Sequence, residues 1–122
     1  MFHPFRLIRS YVHQGRIGVL VEFGMESDFA ARTELFDGFG NDVLLHIAAS
    51  APRDVEALLA QPFVKRPETR VADMLAEVAA QLRERVGIVR FVRFDAEEPI
   101  ERPPNPSPDP PDAPAVALRI VG

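Results

Sequence analysis

Two runs near the amino terminus, residues 7–13 and 16–23, are rich in β-formers and flank Gln14-Gly15, a two-residue link suited to a tight antiparallel hairpin. In the second run Ile17, Val19, Val21 and Phe23 share one face at period two, while Arg16, Gly18, Leu20 and Glu22 share the other. That alternation predicts a strand with one face in a core. The period then changes. From Thr33, a residue type that caps helices, Leu35, Phe36, Phe39, Val43, Leu44, Ile47 and Ala48 recur at helical spacing as far as about Ser50, and Pro52 ends the pattern. Gly38 and Gly40 each weaken such a helix by roughly 1 kcal/mol relative to alanine, so packing against the sheet has to hold it.

A short helix fits residues 53–60 before Pro62 interrupts. Glu68 or Thr69 then opens a second long helix running to about Arg85, with Val71, Met74, Leu75, Val78, Ala79 and Leu82 on one face and Asp73 near its positive end. Beyond Gly87, Ile88-Val-Arg-Phe-Val-Arg-Phe94 reads as a third strand. The order ββααβ predicts an α+β fold: a small three-stranded antiparallel sheet, made of the hairpin and the last strand, covered on one face by helices.

Composition adds a boundary. Of the 12 prolines, 8 fall between Ala96 and Pro114, among acids and few apolar residues, so residues 1–95 are expected to be the folded core and residues 96–122 a disordered, acidic, proline-rich tail. Within that tail residues 115–121 read as a short strand, a docking peptide or a frayed end. The net charge of −4 is unevenly placed. Residues 1–94 hold 12 basic and 12 acidic side chains, and residues 95–122 hold 2 and 6. A neutral body lacks the basic footprint of phosphate-backbone binding, which favours a protein partner over nucleic acid. Cysteine is absent, so thiolate chemistry and disulfides are excluded. No apolar run reaches the roughly 18 residues of a membrane span, and the start Met-Phe-His-Pro-Phe-Arg lacks the order of a secretion signal, so a cytoplasmic protein with no membrane contact is expected.

Catalytic signatures are missing. There is no Gly-x-Ser-x-Gly elbow, phosphate loop or His-Glu-x-x-His, and Gly15-Arg-Ile-Gly18 is too sparse for a dinucleotide fingerprint, so neither an enzyme nor a cofactor is expected. His3, His13 and His46 are scattered over different elements, which argues against a metal. Glu26, Asp28 and Glu34 read as turn and cap residues ahead of the first long helix. Phe29 stands apart. At a strand-to-helix junction and beside a charged residue, it is either tucked under the loop or displayed as a binding anchor.

Val12-His-Gln-Gly-Arg-Ile-Gly-Val-Leu-Val-Glu22 followed by Met25-Glu-Ser-Asp-Phe-Ala-Ala-Arg-Thr-Glu34 resembles the signature stretch of elongation factor Ts. The resemblance resumes at His46-Ile-Ala-Ala49, at Gln61-Pro-Phe-Val-Lys65 and at Arg90-Phe-Val-Arg-Phe94, and so covers roughly residues 7–95 in the family's order. The family's loop motif is typically Cys-Glu-Thr-Asp-Phe-Val-Ala-Arg, and its Asp-Phe pair enters the G domain of elongation factor Tu near the magnesium and phosphate site. Asp28 and Phe29 take those places here. The resemblance therefore implies a guanine-nucleotide exchange factor of translation elongation that contacts elongation factor Tu through Ser27, Asp28, Phe29, His46, Leu82 and Arg83.

The chain departs from the pattern in three ways. Met25 replaces the usual Cys and Ser27 the usual Thr, which keeps size and character. The hairpin begins almost at Met1, so the family's amino-terminal helical module is expected to be lacking, and its helical insert ahead of Gln61 shrinks to residues 52–60. Where the family tends to read Lys-Ile-Gly-Glu-Asn-Ile, this chain reads Gln81-Leu-Arg-Glu-Arg-Val86, so Arg83 stands in place of glycine and either blocks a contact or substitutes a salt bridge. Two further readings follow: a binding module without exchange activity, and an assembly subunit, since single-core members of the family act as symmetric dimers.

Overall fold

A computed structural model describes residues 3–98. Strands β1 (Phe5–His13) and β2 (Ile17–Met25) pair antiparallel from Phe5 opposite Met25 to His13 opposite Ile17. Gln14 and Gly15 both hold positive φ, 53° and 70°, and the Arg16 N–H donates to the His13 carbonyl at 2.9 Å. This mirror-image turn matches the twist of the strands, and Arg16 belongs to it rather than to β2. Strand β5 (Val86–Asp95) adds antiparallel to the other edge of β2, giving the order β1-β2-β5. The expected α+β sheet is thus present, with β2 at its centre.

Among the described residues four helices accompany it: α1 (Asp28–Ala31), α2 (Glu34–Ser50), α3 (Val55–Ala60) and α4 (Val71–Leu82). Thr33 caps α2 as its residue type predicts, with its hydroxyl accepting from the Phe36 N–H at 3.1 Å. The same hydroxyl donates to the Ala30 carbonyl at 2.8 Å, so one side chain joins α1 to α2. Val19, Val21, Phe23 and Met25 of β2 meet Phe36, Phe39, Val43 and Ile47 of α2 in the core, which is completed by Leu58, Phe63, Val71, Met74 and Val78. Phe23 packs edge-on to Phe36 with ring centroids 5.1 Å apart.

Two features were absent from the expected order. One is the single-turn helix α1. The other is a hairpin of β3 (Pro62–Phe63) and β4 (Arg66–Arg70) between α3 and α4. Because β4 runs directly into α4, the cap is Arg70 rather than Glu68 or Thr69, and the Asp73 carboxylate accepts from the Arg70 N–H at 3.2 Å. Helix α4 ends at Leu82, earlier than Arg85, because Arg83 turns left-handed with φ 59°. The Arg83 N–H reaches the Ala80 carbonyl and the Glu84 N–H reaches the Ala79 carbonyl, the paired bonds of a Schellman ending. Of the tail, residues 96–98 turn back on the hairpin tip, where the Ala96 N–H donates to the Arg16 carbonyl at 2.8 Å and Glu97 pairs with Arg16. The disorder expected beyond residue 98 and the candidate strand at 115–121 lie outside the described residues.

Candidate docking site

Strand β2 ends on Met25, which is fully buried, and the chain must turn at once to start α1. Ser27 caps that single turn, its hydroxyl oxygen facing the Ala30 N–H at 3.5 Å. Consecutive helical residues differ by about 100° in direction. Ala30 faces the core, so Phe29 beside it faces outward and is 67% exposed. The ring is therefore not tucked under the loop. Asp28 is also exposed and lies 3.5 Å from the Arg32 guanidinium one turn on, a solvent-facing pair worth a few tenths of a kcal/mol.

A second layer holds this turn from the far end of α4. The Glu84 carboxylate accepts from the N–H groups of Glu26 and Ser27, each at 3.1 Å, and from the Ser27 hydroxyl in a short bond. In return the Glu26 carboxylate accepts from the Arg85 N–H at 2.7 Å and from Arg85 Nε at 3.3 Å. The Arg85 backbone N–H first, and its side chain next, hold the Glu26 carboxyl below the usual carboxylate value. Glu26, Arg83, Glu84 and Arg85 line one shallow depression with Ala79, Ala80 and Val86.

Ser27, Asp28, Phe29, Leu82 and Arg83 are thus brought to one end of the molecule, where Leu82 is half-buried against the core and Arg83 is exposed. His46 is not among them. It is 1% exposed and lies under the β3–β4 hairpin. Its Nδ1 accepts from the Val64 N–H at 3.2 Å, and its Nε2 bonds Gln61 Oε1 at 2.8 Å. With the backbone N–H fixing Nδ1 as acceptor, Nε2 carries the proton, and the ring is a neutral strut that sets the exposed Val64.

Reading the residues alone missed Glu84 and Arg85, and took Glu26 for a turn residue only. One signal was available for Glu84. A carboxylate directly after a helix carboxyl end sits against the negative pole of the dipole, where a cation is favoured, and so asks for a compensating donor set. Among the described residues no three His, Asp or Glu side chains gather as a metal site would require.

Fold and site together define an α+β domain that displays an aromatic on a braced, one-turn helix while burying the small residue beside it. The family model for elongation factor Ts matches residues 26–102. The elongation factor Ts of Alkaliphilus metalliredigens is 33% identical, the match covering 79% of this chain and 66% of that protein. Its counterpart from Alkaliphilus oremlandii is 34% identical over 79% of this chain and 65% of its own length. The one from Methylacidiphilum infernorum is 32% identical over 80% and 71%. The chain belongs to the elongation factor Ts family. It spans about two thirds of the length of the two Alkaliphilus relatives. The Alkaliphilus alignments run over 141 positions, yet 79% of 122 residues is about 96, so at least about 45 of those positions have no residue of this chain opposite them. The α2–β3 link holds a single short helix, α3.

Proposed function

We propose that this domain docks on the GTPase elongation factor Tu with Phe29 as the leading contact and Asp28 beside it, and that docking promotes release of bound GDP. The observation that supports this best is the exposure of Phe29 on a turn tied into the core at both ends. An aromatic ring buried in a partner pocket contributes on the order of 2 kcal/mol or more. If the pocket opens only when the partner's nucleotide-binding region is displaced, docking and nucleotide holding weaken each other by linkage, with no bond made or broken. Ser27 and Leu82 support the surface from behind, Arg83 flanks it, and His46 acts at one remove by setting the hairpin that carries Val64. Release of labelled GDP from elongation factor Tu tests the reading. Accelerated release that is lost on Phe29→Ala supports it. Binding without acceleration leaves a docking module alone, and no binding removes the proposal.

A specific observation also favours self-association. The sheet face turned away from the helices is open, with Val12 and Phe94 flanking Gly18 and Leu20 beside Val92. Ile8 adjoins Glu22, which receives Arg90 Nε at 2.5 Å and Arg6 Nε at 3.4 Å. Two copies of one such apolar face can stack as sheets do, about 10 Å apart. Light scattering showing a dimer that Leu20→Lys dissociates supports this pairing; a monomer at micromolar concentration counts against it.

A further inference from the structure

The clamp between the α1 turn and the end of α4 has a consequence for the docking residues themselves. We propose that Glu84 is the positioning residue of Phe29: its carboxylate fixes the Ser27 hydroxyl and two turn amides, and through them the direction in which the aromatic ring is presented. The inference rests on the docking reading of Phe29 given above. It extends that reading to a residue on another element, 57 positions away from Ser27 in sequence.

A four-residue helix cannot hold itself. Fixing its first turn costs more than its few hydrogen bonds return, so α1 depends on what grips its ends. At its carboxyl end the grip is Thr33, whose hydroxyl takes the Ala30 carbonyl. At its amino end the N–H groups of Glu26 and Ser27 have no partner within α1, and Glu84 satisfies both. A hydroxyl has one proton and two lone pairs. When Ser27 donates that proton to Glu84, its oxygen is left facing the Ala30 N–H as cap acceptor. Glu84 therefore sets the rotor that sets the cap, and the cap sets which side of α1 carries Phe29. Glu26 closes the loop by holding the Arg85 backbone, so the carboxylate and the turn it grips cannot drift apart. A ring ordered before docking avoids the ordering cost that a loose one meets on binding.

The test compares Glu84→Ala, Glu84→Gln and Ser27→Ala in the full chain, each with Phe29 and with Phe29→Ala. Amide hydrogen exchange of the chain alone reads the clamp; GDP release from elongation factor Tu reads the consequence. Glu84→Ala is expected to speed exchange at Ser27 and Ala30 at least about tenfold, while the amides of Val21 and Ile47 stay at wild-type rates. It is expected to lower the maximal GDP-release rate about tenfold, and to cause no further loss once Phe29 is alanine. Glu84→Gln, which keeps a carbonyl acceptor, should recover most of both. Should Glu84→Ala fail to fold, Ser27→Ala removes only the hydroxyl and should shift both readouts the same way by about threefold. Unchanged exchange at Ser27 and Ala30, or losses that multiply in the double variant, would overturn the proposal. A wild-type chain that does not accelerate GDP release removes the exchange reading alone, and the amide exchange then decides the clamp.

Discussion

Phe29 and Phe36 lie on either side of Thr33 and meet opposite fates. Phe36 is fully buried against Phe23, whereas Phe29 is 67% exposed. Helix α2 follows the ordinary rule, turning its large apolar stripe to the sheet and its charges to water. Helix α1 inverts it, giving the core a methyl group and giving water a benzyl group. Leaving a Phe unburied forgoes about 2 kcal/mol that burial would have contributed. The conformation persists because Thr33, Ser27 and Glu84 determine it from outside α1. The difference separates side chains that make the fold from one that the fold makes available.

Truncation should expose that separation most strongly at Phe36. Phe36→Ala empties the junction of Phe23 and Phe39 and is expected to lower unfolding stability by about 3–5 kcal/mol, measured by urea denaturation. Phe29→Ala should change stability by no more than about 0.5 kcal/mol, as surface substitutions do. A loss at Phe29 approaching that at Phe36 would mean the ring is a core residue, and the contrast between the helices would collapse.

A smaller effect is expected where α4 ends. Arg83 holds φ 59° without being glycine, so Arg83→Gly should relieve the left-handed backbone and raise stability by about 0.5–1 kcal/mol, read from the urea midpoint. This sharpens the departure at that position. A family glycine there is explained by backbone conformation before any close approach of a partner is invoked. If Arg83→Gly is neutral or destabilising, the guanidinium has a role in the fold that compensates the strain.

The helices and strands that were legible in the sequence are those whose burial writes a period. Ile17 to Phe23 alternate, Phe36 to Ile47 recur at helical spacing, and Thr33 announces its helix as a cap. The β3–β4 hairpin has no such period, since Phe63 is its one buried residue and Arg66–Arg70 is exposed except at the half-buried Thr69. Helix α1 is too short for a period to exist. Patterning singled out Phe29 but left a tucked and a displayed ring open, because displaying it violates the pattern, and a docking role for the α1 turn came only from the resemblance. Glu84 gave only one local signal, its unfavourable place just after a helix carboxyl end, and its partners could not be read at all. Its three donors come from the other end of the chain, and no local spacing encodes a contact made only when β2 and α4 meet.

The Glu26–Arg85 half of the clamp gives the mildest test, because it works on an exposed group. Donors from Arg85 favour the ionised Glu26 carboxyl and hold it below its ordinary value of 4.5. A lowered folded-state value means that the contact contributes fully above about pH 4.5 and is lost as pH falls through the lower value in the folded chain. At neutral pH the Glu26–Arg85 contact is therefore at full strength, and acidification should loosen it before it disturbs Phe36. In an NMR titration the Glu26 side-chain carboxyl carbon and the Arg85 amide should move together with one midpoint below 4.5. Glu26→Gln should leave the Arg85 amide without that transition. Were the Arg85 amide to titrate unchanged in that variant, Glu26 would not be its partner, and Glu84 alone would tie the exposed phenylalanine to the buried one's scaffold.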